Sequence, residues 1–236
     1  IDVVERTGET SKIYTLEAEH FISSMPLAAL ISAMEPAPPT PVIRAAKKLK
    51  YRDFLIVTLI LNRADPFPDN WIYIHSPSVK VGRIQNFRAW SEEMVPEPGK
   101  SSIGMEYFCN IGDSLWEMSD AELIKLATRE LAALGLARED MVVDGAIIRQ
   151  PKAYPVYDGE YREAVDVISE WLKTLKNFQT VGRNGMHRYN NQDHSMLTAL
   201  LAARNILGEE HDLWNVNVER SYHEEFTTAE KAKVAA

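Results

Sequence analysis

Scarcity marks this sequence before any motif does. A single cysteine, Cys109, stands among 236 residues, so no internal disulfide can form and a reducing compartment is expected. No apolar run approaches the ~18–20 residues that a membrane-spanning helix needs, and no signal-peptide pattern opens the chain, so the expected location is the cytoplasm. Cations are in deficit: 26 Lys and Arg face 34 Asp and Glu, a net charge of −8. That argues against a general nucleic-acid binder, because neutralising phosphates needs a surplus of cations. No two of the eleven glycines stand in G-x-G spacing, so neither a dinucleotide fingerprint nor a phosphate loop can be built. The six histidines are scattered, with His187 and His194 seven apart across a turn, and no metal site is expected. A G-x-S-x-G nucleophile elbow is absent. An initiator methionine is absent too: the chain opens with Ile1 inside what reads as a strand, and a fragment is expected.

What is present reads as a globular chain with a core: 45% of residues are hydrophobic and 25% charged. Residues 1–25 alternate around Thr7-Gly8-Glu9-Thr10 and end in Phe21-Ile22, a hairpin followed by a buried strand. Prolines 36, 38, 39 and 41 break regular structure, after which Val42 to Lys50 reads as a helix capped by Thr40 with Pro41 at its first position. Phe54 to Leu61 is a near-continuous apolar run, the mark of a strand covered on both faces. Strands follow at Trp71–His75, Val81–Phe87 and Ile103–Cys109, the last with Ile103, Met105, Tyr107 and Cys109 on one face. At Ser119 the period changes: Ser119 and Glu122 form a capping box, and Leu123, Ala127, Leu131 and Leu134 make a helical stripe stopped by Gly135. A strand over Val142–Ile148, a helix over Tyr161–Leu175, a short strand over Phe178–Val181 and a helix over Gln192–Leu207 complete the pattern, with a frayed tail from Ala229. The expected class is α+β, a mixed sheet with flanking helices.

The segment from Thr180 to Met196 differs in kind. A strand ends at Val181, Gly182 permits close backbone approach, and about a dozen mostly polar residues precede the helix at Gln192. Asn191 or Asp193 can cap that helix, whose unpaired first-turn N–H groups suit an electron-rich oxygen. Met196, Leu197, Leu200, Leu201 and Ile206 make it apolar nearly all round, so it is expected to be buried.

Gly182-Arg183-x-Gly185, then Tyr189, then Asn191-Gln192-Asp193-His194-Ser195 opening a helix resembles the carboxy-terminal flavin-binding motif of the UDP-galactopyranose mutases, within the flavin amine oxidase and protoporphyrinogen oxidase superfamily. Val81-Gly82-Arg83-Ile84 is similar to their Thr-Arg-Ile strand, Ala153-Tyr154-Pro155-Val156 to their Tyr-Pro-Val segment, and Ala18–Leu27 to the stretch leaving their FAD domain. The resemblance implies FAD as cofactor, contacted by Gly182, Arg183, Asn191, Gln192, Asp193, His194 and Ser195. It implies catalytic roles for Arg83, Tyr154 and Tyr189 and a nucleotide sugar as substrate. It also implies domains: 1–27 as the remnant of a truncated Rossmann-type FAD-binding domain, 28–175 for substrate, 176–226 returning to the flavin, and 227–236 as tail. The chain departs from the mutase pattern at Asn191, where bacterial mutases carry an acid, and at Lys80-Val81-Gly82. Two rival readings fit the same residues. One is an FAD-dependent oxidase or desaturase of an apolar substrate, with Trp71, Tyr73 and Tyr107 lining a deep pocket. The other is a non-catalytic interaction domain using the basic 42–52 stretch, Lys47 and Lys48 included.

Overall fold

Alternating apolar and polar residues draw the first strands, β1 (Asp2–Thr7) and β2 (Thr10–Thr15), into an antiparallel hairpin. The computed structural model describes residues 1–7 and 10–218; Gly8 and Glu9 of the expected turn, and the expected tail, lie outside them. Strand β3 (Phe21–Ser23) is half-exposed rather than buried, with Ile22 open to solvent. Next come α1 (Leu27–Ala33) and α2 (Thr40–Lys48). Pro39, not Thr40, is the N-cap of α2, and Pro41 lies in its first turn, where a missing N–H costs no helical bond.

Two compact units share the chain: residues 1–50 with 155–236, and Tyr51–Tyr154. The second is shorter at both ends than the 28–175 segment suggested by the sequence. It is built on β4 (Tyr51–Leu61), β5 (Trp71–Tyr73), β6 (Arg83–Asn86), β7 (Ser101–Cys109) and β8 (Val142–Pro155), in the sheet order β5-β6-β7-β4-β8. A one-turn helix, α3 (Phe87–Trp90), follows β6, and α4 (Asp120–Ala133) covers one face of the sheet. The Ser119–Glu122 capping box is formed, and Gly135 just past the helix adopts φ +72°.

Register decides what each face carries. Tyr73 lies opposite Arg83, Arg83 opposite Glu106 and Glu106 opposite Ile56, so these side chains share one face. The other face carries Leu55, Val57, Leu59, Ile84, Ile103, Met105, Tyr107 and Cys109, packed with Leu123, Ala127 and Leu131 of α4 into the core. The expected alternation along β7 is therefore found, and burial raises the pKa of the Cys109 thiol. Strand β8 runs seven residues beyond Ile148, the end that its apolar stretch suggests. Lys152 N–H donates to the Asp53 carboxylate at 2.7 Å, which helps to hold this polar extension.

In the first unit the chain resumes with α5 (Tyr161–Leu172), which ends three residues before Leu175, then β9 (Phe178–Thr180), a single turn α6 (Gly182–Gly185) inside the expected polar loop, and α7 (Gln192–Ile206). Helices α1, α2 and α5 bury Leu27, Ile31, Val42 and Ile168 together. Strands β3 and β9 pair in parallel, Phe21 opposite Phe178. The expectation of a buried α7 fails: only Thr198 and Ala202 are buried, while Met196 is 66% and Leu200 51% exposed. The buried side packs against Val181, Met186 and Leu213, and no described residue covers the rest of the apolar surface. The architecture is α+β with several sheets, and no helix among the described residues is long and apolar enough to cross a membrane.

Candidate functional site

The sequence-expected residues fall into two clusters, one in each unit. On the face of the five-stranded sheet opposite α4, Arg83 is the centre of the first. Its Nε–H donates to the Glu106 carboxylate, its Nη2 donates to Tyr154 Oη at 2.9 Å, and Gln85 Nε2 donates to the other Glu106 oxygen. Aromatic rings flank the guanidinium: Trp71 with its centroid at 4.8 Å, Phe108 at 5.7 Å and Tyr73 at 6.0 Å. Burial is the largest single influence and works against the Arg83 charge, but the hydrogen bonds to Glu106 and Tyr154 and the electrostatic pull of those two partners together outweigh it, and the pKa rises. Arg83 and Tyr154, 71 residues apart in sequence, are thus brought together.

The backbone leading to Arg83 is fixed from both faces of the sheet. Glu130, buried on α4, accepts from Lys80 N at 2.7 Å, Val81 N at 3.0 Å and Tyr107 Oη at 3.0 Å. Burial, with Glu130 adding to it, pushes the Tyr107 pKa up. Gly82 donates its N–H to Glu106 O at 2.9 Å, and a Cβ there would stand 3.0 Å from the Phe108 ring. A side chain at position 82 would therefore press on the Phe108 ring.

Trp71 and Tyr73 share the Arg83 face, whereas Tyr107 points into the core beneath α4. The three therefore cannot line one apolar pocket, which overturns that feature of the oxidase alternative. In the basic stretch, Lys48 pairs with Glu160 and Lys50 with Asp158.

The second cluster is the turn between β9 and α7. Gly182 takes φ +79°, its N–H donates to Thr198 Oγ1 at 3.0 Å, and no atom stands within 4 Å of where a Cβ would project. Gly185 is closed in: a Cβ would meet Ser23 O at 2.9 Å. Arg183 turns inward, donating from Nε to Asn190 O at 2.7 Å with its guanidinium 4.7 Å from the Tyr189 ring centroid. Tyr157 Oη accepts from Tyr189 N at 2.6 Å, and Asn217 Nδ2 donates to Tyr189 O and to Asn190 Oδ1. Arg188 donates to the carbonyls of Trp214 and Val216. Asn191 is the N-cap of α7, and its N–H donates to His194 Nδ1 at 3.3 Å. Gln192 and Asp193 are exposed and Ser195 is half-buried.

Sequence reasoning missed Glu106, Glu130, Tyr157 and Asn217. Glu106 had a signal, an acid in an otherwise apolar strand, out of step with the core-facing positions. The others act through contacts distant in sequence.

Among solved structures, the chain is similar to a reduced UDP-galactopyranose mutase, with a TM-score of 0.73 and 19% identity over 88% of this chain and 45% of that one. It is also similar to a protein from Exiguobacterium sp. 255-15 assigned as a protoporphyrinogen oxidase, with a TM-score of 0.56 and 14% identity over 78% and 39%. The structural neighbours thus come from the group that the 182–195 motif resembles, and at these identities the likeness is one of fold. The chain spans less than half the length of either. No protein-family model matches it, and neither does any curated protein sequence.

Proposed function

We propose that this chain is the substrate-binding and flavin-capping part of an FAD-dependent enzyme resembling UDP-galactopyranose mutase. The observation that carries the reading is the hydrogen bond joining Arg83 to Tyr154. These are two of the three residues that the resemblance assigns to the substrate side, and they meet on the sheet face that carries no apolar core. A guanidinium that stays charged and presents a planar fork is suited to diphosphate oxygens and to the negative charge on a departing phosphate. Tyr189 is the first unit's candidate for substrate contact.

Gly182, Arg183 and residues Asn191 to Ser195 would hold FAD, and the donor set fits it. A Cβ at Gly182 would meet no atom within 4 Å, which leaves room beside its backbone, and the positive end of α7 suits an electron-rich ring edge. Arg183 braces the turn. Bound FAD would supply the redox centre, accepting hydride in an oxidase or acting as a nucleophile when reduced in a mutase. Residues 1–27 and 176–226 are read as parts of an FAD-binding domain and 28–175 as the substrate domain. Two features support this: a parallel pair of three-residue strands, too small to stand alone, and the uncovered apolar side of α7.

The test is turnover of a UDP-sugar by the full-length protein with and without prior reduction of the flavin. Turnover that requires reduction supports the mutase reading, and indifference to reduction overturns it. The chain alone is expected to retain little FAD; purification as a stoichiometric flavoprotein would overturn the division of labour proposed here.

A further inference from the structure

We propose that Glu106 is the counter-charge that holds the protonated Arg83 as a fixed hydrogen-bond fork within a pair of no net charge, and so sets how tightly the site holds a diphosphate. This rests on the reading of Arg83 as the group that meets the substrate's diphosphate oxygens. Glu106 is 1% exposed and lies directly opposite Arg83 in the β6–β7 register. One of its oxygens takes the Arg83 Nε–H and the other takes Gln85 Nε2, so the carboxylate cannot swing away without breaking both bonds. Nη2 is aimed by Tyr154, and the Trp71 and Phe108 rings flank the guanidinium. Two of the five guanidinium N–H groups are thereby engaged, and the other three have no acceptor among the described residues.

A bare guanidinium beside the sheet would hold a multiply charged oxyanion through a strong Coulombic attraction that salt weakens. The Arg83–Glu106 pair as a whole carries no net charge, so the long-range attraction falls and the directional hydrogen bonding of the charged guanidinium remains. The pair therefore keeps recognition while easing release. Glu106 acts on the ligand only through Arg83, as a positioning residue.

The test is titration of the chain with inorganic pyrophosphate at low and high salt, in wild type, Glu106→Gln and Arg83→Gln. Glutamine keeps an acceptor for the Arg83 Nε–H and removes the charge. Glu106→Gln is expected to bind ~10-fold tighter at low salt, with the gain shrinking at high salt, and Arg83→Gln to bind most weakly. Equal affinity and equal salt dependence in Glu106→Gln and wild type, with Arg83→Gln weakened, overturns the counter-charge role and leaves the reading of Arg83 standing. Arg83→Gln indistinguishable from wild type, or no binding in any of the three, overturns that reading and this inference with it. The unaltered chain supplies a check independent of variant folding. Its Arg83 Nε–H proton should exchange with solvent far more slowly than those of exposed arginines, and equal exchange overturns the pairing.

Discussion

Helices α4 and α7 are of nearly equal length, each has three leucines, and both are rich in alanine, yet they meet opposite fates. In α4 the apolar residues recur at Leu123, Ala127 and Leu131 and all three vanish into the core beneath the sheet. In α7 they spread over Met196, Leu197, Leu200 and Leu201, while the positions that the first unit buries are Thr198 and Ala202. Apolar content sets how much surface a helix must hide. Only the angular placement of that content says how many neighbours are needed. A narrow stripe asks for one neighbour, and α7 asks for more than the described residues provide.

Five variants would break or sharpen this contrast. The largest effect is expected from Leu123→Ala, which leaves a cavity in a filled core and should cost about 2–5 kcal/mol in denaturant unfolding. Leu200→Ala should stay within about 0.5 kcal/mol, and equal losses would mean that α7 is packed as α4 is.

Next come two buried polar side chains, one in the turn before α7 and one on α4 itself. His187, in the turn before α7, has its pKa lowered to about 4 by burial, against a smaller pull upward from its bond to Val156 and from Asp158. The unfolded chain then takes the proton more readily. The stability that His187 contributes is complete above pH ~6.5 and lost as pH falls toward 4, by up to about 3 kcal/mol. His187→Asn, which tolerates the φ of +47° at this position, should flatten that part of the pH profile. An unchanged profile would place the acid sensitivity elsewhere. Glu130→Gln in α4, measured at neutral pH, should cost about 1–3 kcal/mol, because one of its buried donors loses its acceptor.

The smallest effect expected within α4 belongs to the helix start: Ser119→Ala removes half a capping box and should cost about 1 kcal/mol. No loss would show that the core alone fixes where α4 begins.

Local chemistry was legible in the sequence. The apolar run of β4, the alternation of β7 and the Ser119–Glu122 box each state their own structure, because the signal and the contact lie within a few residues of one another. The motif from Gly182 to Ser195 could be read as a strand, a polar turn and a helix for the same reason. What escaped depends on partners far along the chain. The Arg83–Glu106 pair follows from a strand register that no local pattern specifies. The polar end of β8 is supported by Asp53, roughly a hundred residues earlier. The exposure of α7 could not be read because hydrophobicity records a demand for cover and not whether cover is at hand.

The point where the chain leaves the first unit, after Lys50, and the point where it returns, at Pro155, lie side by side: Val156 N–H donates to Lys50 O at 2.9 Å. For folding, this is a matter of loop closure. With the segment from Tyr51 to Tyr154 unstructured, joining α2 to α5 means closing a long, floppy ring, at an entropic cost that grows with the logarithm of its length. Once β4 and β8 have paired, the same ring is cinched at its neck, and to the first unit it is no longer than a tight turn. An order of assembly in which the inserted sheet forms first would let α2 and α5 find each other as if they were neighbours in sequence.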